Sequence, residues 1–355
     1  MSARPDPVQL RSPDWLLAGF DLQADRYHLA QVSRQTYQSS AFLDHRIRPL
    51  PTATISLDGR QVDEVLVHSK PARVAWVFHT GFCCSTLLAT CLDHPGHTLV
   101  LREPLVLSRL AHEKRKSQGG DQSALQFATR RVTGLCERSY AGESLLIKPS
   151  NFANSLIEDL FREGNFPTAQ LPQRKAILMT SSLDSLLVSI LKKQSEAEVS
   201  LPGFLRALLL DSDYQKVAGL GNIDQLNLLQ QSVLFWHCQR YFLQQCLARS
   251  GSDRFMLLSM ERFLAEPLAV LLEAAHFLRL DLPQETLQQT VQSGAFRRHS
   301  KKTDQVYDAE IHQREHQTTA ARFRSEIAEA LVWAKPFMDQ LPVKAFDAFE
   351  QNAVR

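Results

Sequence analysis

The run Arg73–His79 (R-V-A-W-V-F-H) is apolar on both faces and passes without a spacer into a turn of small residues, His79-Thr80-Gly81-Phe82-Cys83-Cys84-Ser85-Thr86. A strand with no polar face must be covered from two sides, which a sheet achieves when helices lie above and below it. Further short runs follow at Thr98–Arg102, Ser144–Lys148, Lys175–Thr180 and Arg254–Ser259, the K-A-I-L-M-T segment again apolar on both sides. Helical patterning separates them at Ser85–Leu92, Leu105–Lys114, Asp121–Tyr140, Asn154–Arg162 and Leu183–Lys193. This alternation predicts an α/β protein with a three-layer, parallel sheet and right-handed crossovers.

The expected organisation has three parts. Residues 1–70, with short mixed runs, Pro49, Pro51 and the Asp58-Gly59 turn, read as a short β-rich N-terminal extension. Residues 71–310 form the main domain, interrupted by a helical insertion at about 202–249, a lid, a partner surface or a cap that only packs. Residues 311–355 read as a long C-terminal helix, near Ile311–Gln340, and a tail.

Composition narrows the function classes. A formal net charge of +2 gives no general attraction to polyanions, so no nucleic-acid partner is expected and any basic site must be local. No apolar stretch reaches the roughly 18–20 residues of a membrane span, and the first twenty residues, with Arg4, Asp6, Arg11 and Asp14, do not read as a signal peptide. A cytoplasmic location is the expectation. The six cysteines form no C-x-x-C pair or zinc-like cluster, so neither disulfides nor a metal are expected; Cys238 and Cys246 read as helix core residues.

The turn after the first doubly apolar strand is where chemistry is expected. A strand that turns through glycine and small residues into a helix presents free N–H groups and the positive end of the helix dipole, a site for an anion. The backbone of Thr80, Gly81, Phe82, Cys83 and Cys84 would supply the cradle, and the hydroxyls of Ser85 and Thr86 would add donors. The plainer alternative makes Ser85 an N-cap. The turn lacks the G-x-x-x-x-G-K-[ST] pattern and contains no lysine, which disfavours ordinary ATP or GTP hydrolysis.

The segment Gly81–Leu88 resembles the 5′-phosphosulfate loop of the sulfotransferases, a branch of the P-loop nucleotide-binding proteins, commonly P-[KR]-S-G-T-T-x-L. Ser85 and Thr86 match its hydroxyl positions; Phe82 stands at its Lys or Arg, and Cys84 at its Gly. Lys175–Ile190 resembles the strand and helix that hold the 3′-phosphate, with Ser181 at the family's Arg position, Leu183 at its Pro and Ser189 at its Ser. Leu257–Pro267, followed by Phe277-Leu278-Arg279-Leu280, resembles the region of the family's last strand. The basic loop Phe296–Lys302 falls where sulfotransferases close over the 3′-phosphate, which implies roles for Arg298, Ser300 and Lys301; a solvated charge run is the alternative.

Two residues read as candidates for the transfer itself. Glu103 follows the second strand and resembles the base of heparan-sulfate sulfotransferases; pairing with Arg102 or helix capping is its plainer role. Lys148 ends the third strand in a K-x-P segment similar to that subgroup's, which implies that it supplies the charge that Phe82 does not; surface pairing is its plainer role. His79 and His299 read as packing or hydrogen-bonded residues. Cys83 and Cys84 lie where a helix N-terminus would lower a thiol pKa, but no partner base is apparent for them. The resemblance implies transfer of a sulfuryl group from 3′-phosphoadenosine 5′-phosphosulfate to a hydroxyl or amine acceptor. A binding module of the same fold, without transfer, and a small-molecule kinase are the alternatives. The acceptor and the oligomeric state are not legible.

Overall fold

The computed structural model describes residues 6–69, 73–117, 123–162, 174–250, 252–293, 298–299, 302–306, 309–344 and 346. Strands β1 (Trp15–Asp21), β2 (Arg26–Gln31) and β3 (Thr54–Asp58) form an antiparallel sheet in that order, accompanied by helices α1 (Arg34–Ser39) and α2 (Gly59–Val67). Reciprocal capping starts both helices, Ser33 with Thr36 and Asp58 with Gln61, and satisfies N–H groups a short helix leaves open. The apolar face of this sheet does not close on itself. Trp15, Leu17, Tyr27, Leu29 and Leu57 share one cluster with Trp76, Phe78, Leu99 and Leu101 of the main sheet. Buried Arg138 donates to the carbonyls of Leu10, Trp15 and Leu135, fastening the N-terminal segment to the helix before it.

The main domain runs β4 (Val74–His79), α3 (Ser85–Cys91), β5 (Thr98–Arg102), α4 (Leu105–Lys116), α5 (Ser123–Cys136), β6 (Ser144–Lys148), a 3-10 segment Asn151–Leu156, α6 (Ile157–Phe161), β7 (Lys175–Thr180) and α7 (Leu183–Leu191). Then come α8 (Gln194–Leu209), α9 (Tyr214–Val217), α10 (Leu228–Ser250), β8 (Phe255–Ser259), α11 (Met260–Ala265), α12 (Pro267–Leu278) and α13 (Gln284–Gln292). A hairpin of β9 (Arg298–His299) and β10 (Lys302–Val306) precedes α14 (Ala309–Arg322) and α15 (Arg324–Gln340). The five central strands are parallel, in the order β5-β6-β4-β7-β8. Alternate side chains go to opposite layers, as a pleated strand requires. Ala75, Val77, Val100, Leu146, Ile177 and Met179 pack with α3, α12 and α13, whereas Trp76, Phe78, Leu101, Ile147 and Leu178 pack with α4, α5 and the N-terminal sheet. The expected three layers follow from this pattern.

Three expected boundaries shift. Helix α8 begins at Gln194 and continues through Pro202, because Ala197, Leu201, Leu205 and Leu208 present one buried stripe whose burial outweighs the hydrogen bond that proline removes. The first turn of the helix expected at Asn154–Arg162 is 3-10. The long C-terminal helix is two, broken where Phe323 leaves helical geometry and packs against the helical cluster. Helix α10 joins two cores: Val233, Leu234 and Trp236 lie in that cluster, and Phe242, Leu243 and Cys246 in the cluster beneath the main sheet. Among the described residues no helix is long and apolar enough to cross a membrane.

Candidate functional site

Strand β4 lies between β6 and β7, and the connections leaving it and β6 travel in opposite directions across the sheet. At such a switch point the strand ends open a crevice, which is where α/β proteins bind ligands. Four of the sequence candidates converge there: the loop 81–86, Glu103, Lys148 and Ser181.

The loop is held in an unusual backbone shape. Gly81, Phe82 and Cys84 have φ of 79°, 51° and 58°, left-handed values that cost an L-residue about 1–2 kcal/mol each and that turn successive N–H groups toward a common centre. Helix α3 takes Cys84 as its N-cap with no side-chain cap, so Ser85 is its first residue and not its cap. Among the described residues the amides of Phe82, Cys83 and Thr86 donate to no protein acceptor. Ser85 and Thr86 are buried. Phe82 is 37% exposed and meets Phe235 edge-on, ring centres 6.4 Å apart, so the position that holds a cation in sulfotransferase loops is an apolar wall here.

A cation reaches the loop from another strand. Lys148, its side chain 1% exposed, forms an ion pair with Glu103 and lies 3.5 Å from Thr86 Oγ1. The pair is fixed by the sheet, because Arg102 and Lys148 are register partners and Glu103 N–H donates to the Lys148 carbonyl at 2.6 Å. Glu103 itself has φ 48°, a turn that brings its carboxylate back over the strand end. It therefore pairs with neither Arg102 nor a helix terminus. Arg102 is committed elsewhere, to Asp93 and to the carbonyls of Tyr37 and Gln38.

Ser181 follows β7, fully buried, and its hydroxyl has no partner among the described residues. Ser189 is half-buried on α7, about 9 Å along the helix from Leu183 at 1.5 Å per residue. Arg298 lies in β9, with its side chain outside the described residues, and Ser300 and Lys301 also lie outside them. The proposed basic loop is thus not brought to the site by anything described.

No family model matches the chain, and no curated protein matches it in sequence. In structure it is similar to sulfotransferases. The sulfotransferase domain of the curacin biosynthetic pathway shares 14% identity at TM-score 0.40, over 72% of this chain and 98% of that one. The sulfotransferase domain of the Synechococcus PCC 7002 olefin synthase shares 16% at 0.40, over 76% and 96%. A sulfotransferase from Mycobacterium avium shares 15% at 0.39, over 74% and 80%. At these identities the likeness concerns fold alone.

Several residues at the site escaped the sequence reading. Asn154 Nδ2 donates to the His79 carbonyl at 3.0 Å, Asn151 Nδ2 to Gln239 Oε1 at 2.8 Å, and Trp236 Nε1 to the Ser181 carbonyl at 2.8 Å. Gln239 and Trp236 come from α10, which therefore lies against the loop. The P-S-N segment after Lys148 was the available signal, since asparagines so near a strand end have few other buried uses. The reading of Cys83 needs correction. Burial pushes the Cys83 thiol up, with only partial relief from the Lys148 charge, so desolvation of this buried side chain overrides the helix terminus expected to lower it. Two clefts of about 310 and 500 Å³ lie on the helical cluster, the first beside Gln230 and Trp333, the second beside Asp184 and Leu331. Among the described residues no group of three His, Cys, Asp or Glu is placed to hold a metal ion.

Proposed function

We propose that this chain transfers a sulfuryl group from 3′-phosphoadenosine 5′-phosphosulfate to a hydroxyl or amine acceptor. The observation that carries the reading is a buried ammonium, Lys148, set beside Thr86 of an uncapped anion loop and ion-paired to Glu103. The donor's 5′-phosphosulfate fits the open amides of Phe82, Cys83 and Thr86, and Gly81 takes the left-handed φ of 79° that starts the turn. The unpartnered hydroxyl of Ser181 fits a phosphate oxygen. In the reaction the acceptor atom attacks sulfur in line while the bond from sulfur to the bridging oxygen breaks. The acceptor proton passes to the Glu103 carboxylate. The electron pair of the broken bond leaves on adenosine 3′,5′-bisphosphate, whose charge the loop amides and Lys148 stabilise.

One observation favours a second reading, a nucleotide-binding module without transfer: the cation position of the loop is Phe82. Two measurements separate the readings. Titration should show adenosine 3′,5′-bisphosphate binding more tightly than ATP, and labelled sulfuryl should pass from the donor to a pool of hydroxyl and amine acceptors. Tight binding with no transfer to a broad pool would favour the module, and preference for ATP would overturn both.

A further inference from the structure

The imidazole of His79 sits at the joint between the loop and the strand that carries Lys148. It is 5% exposed. Its Nδ1 accepts the Gly81 N–H at 3.0 Å, its Nε2 lies 3.2 Å from the Pro149 carbonyl, and its own carbonyl accepts from Asn154 Nδ2. A nitrogen that accepts from an amide carries no proton, and a carbonyl can only accept, so both contacts are satisfied by one species, the neutral ring with its hydrogen on Nε2. Gly81 is the first left-handed residue of the loop, and Pro149 directly follows Lys148. One ring thus ties the start of the amide cradle to the backbone that delivers its cation.

We propose that His79 is a positioning residue for the donor's phosphosulfate: it fixes the loop amides against Lys148 and takes no part in proton transfer. This rests on reading 81–86 as the donor site. The usual suspicion about a histidine beside a catalytic crevice, that it is the base, fails on geometry, since both ring nitrogens are spent on backbone groups. Ionisation would place an Nδ1–H against the Gly81 N–H and undo the joint.

Replacement variants test this, because asparagine places an acceptor near the Nδ1 position, glutamine places a polar group near Nε2, and phenylalanine keeps only ring volume. Affinity for adenosine 3′,5′-bisphosphate and thermal midpoint should be measured on the full chain. His79→Asn should bind within about threefold of wild type, and His79→Gln and His79→Phe should lose about tenfold or more, the scale of an unpaired buried amide. If His79 only packs, affinity follows the midpoint across the three variants with no rescue by asparagine, which overturns the proposal. Long-range nitrogen–proton correlation of the imidazole provides a check that needs no ligand. The neutral form protonated on Nε2 is expected; the other tautomer or the imidazolium at pH 7 would overturn the assignment. A wild type that fails to bind the bisphosphate while showing the expected tautomer would instead sink the donor-site reading.

Discussion

Two strand-to-helix turns leave the same edge of the sheet from neighbouring strands, β4 into α3 and β7 into α7, and they are finished in opposite ways. In the second, Ser182 caps α7 by accepting the Ser185 N–H, while Glu261 accepts from both the Ser182 N–H and the Ser185 hydroxyl. Asp184 adds a carboxylate in the first turn. One donor of that helix, the Ser185 N–H, is capped, and the dipole is met by anionic side chains. In the first turn the cap residue is Cys84 in left-handed geometry, no side chain caps the helix, and the nearest ionised group over the hydroxyls is the cation Lys148. Helix termini are alike in backbone chemistry, so the difference lies in what the sequence supplies. A capped terminus stabilises the fold, and in the proposed function the uncapped one beside a buried cation receives the donor's anion.

The largest effect expected from this contrast belongs to the open turn. Glu103→Gln keeps the shape of the side chain and removes its proton affinity, so turnover should fall by about 10²–10⁴-fold with donor binding spared; an undiminished rate would exclude Glu103 as base. Next comes the helical cluster that buttresses the closed turn. Burial, and then the Arg240 charge, hold the His237 imidazole down at about 4 from 6.5. Between those values the unfolded chain binds a proton that the folded chain does not. The resulting stability is complete above about pH 6.5 and declines by about 3 kcal/mol as the pH falls toward 4. Denaturant midpoints for wild type and His237→Gln, compared at pH 7 and pH 5, should show a smaller pH slope in the variant; equal slopes would remove His237 from the account.

A gain is expected from Phe82→Lys, which places a cation where the open turn has an aromatic wall. At a partly exposed position it should tighten adenosine 3′,5′-bisphosphate binding by about fivefold, and a loss of affinity in the titration would mean that Phe82 itself contacts the ligand. The smallest effect belongs to the closed cap. Ser182→Ala should cost about 1 kcal/mol of stability and leave donor affinity unchanged. Weakened binding there would show that the two turns form one site.

The parallel sheet was legible because doubly apolar strands admit few other environments, and the strand-to-helix turn at 80–84 because glycine and small residues between such a strand and a helix mark a tight turn. The ion pair of Glu103 and Lys148 was not legible. Both were visible as strand-end residues, but their meeting depends on the register of β5 against β6, which no local pattern encodes. The Cys83 thiol was misjudged for a related reason: its environment is set by burial against β7, where its Sγ lies 3.6 Å from the Met179 carbonyl, and not by its place in the chain. His79 was read as a packing or hydrogen-bonded residue without its partners, because Gly81 and Pro149 lie two and seventy residues away.

Helix α10 carries a consequence for how such a chain can diversify. Read along the chain, the segment between β7 and β8 has the look of an insertion that could be exchanged as a cassette. Yet α10 contributes to two cores and holds Ser181 and Asn151 by hydrogen bonds, so replacing it would dissolve the foundations of the site along with its roof. Even the stretch between α8 and α10, residues 210–227, is only partly freer: Leu210 and Val217 are exposed, but Tyr214, Ala218 and Ile223 are buried in the helical cluster.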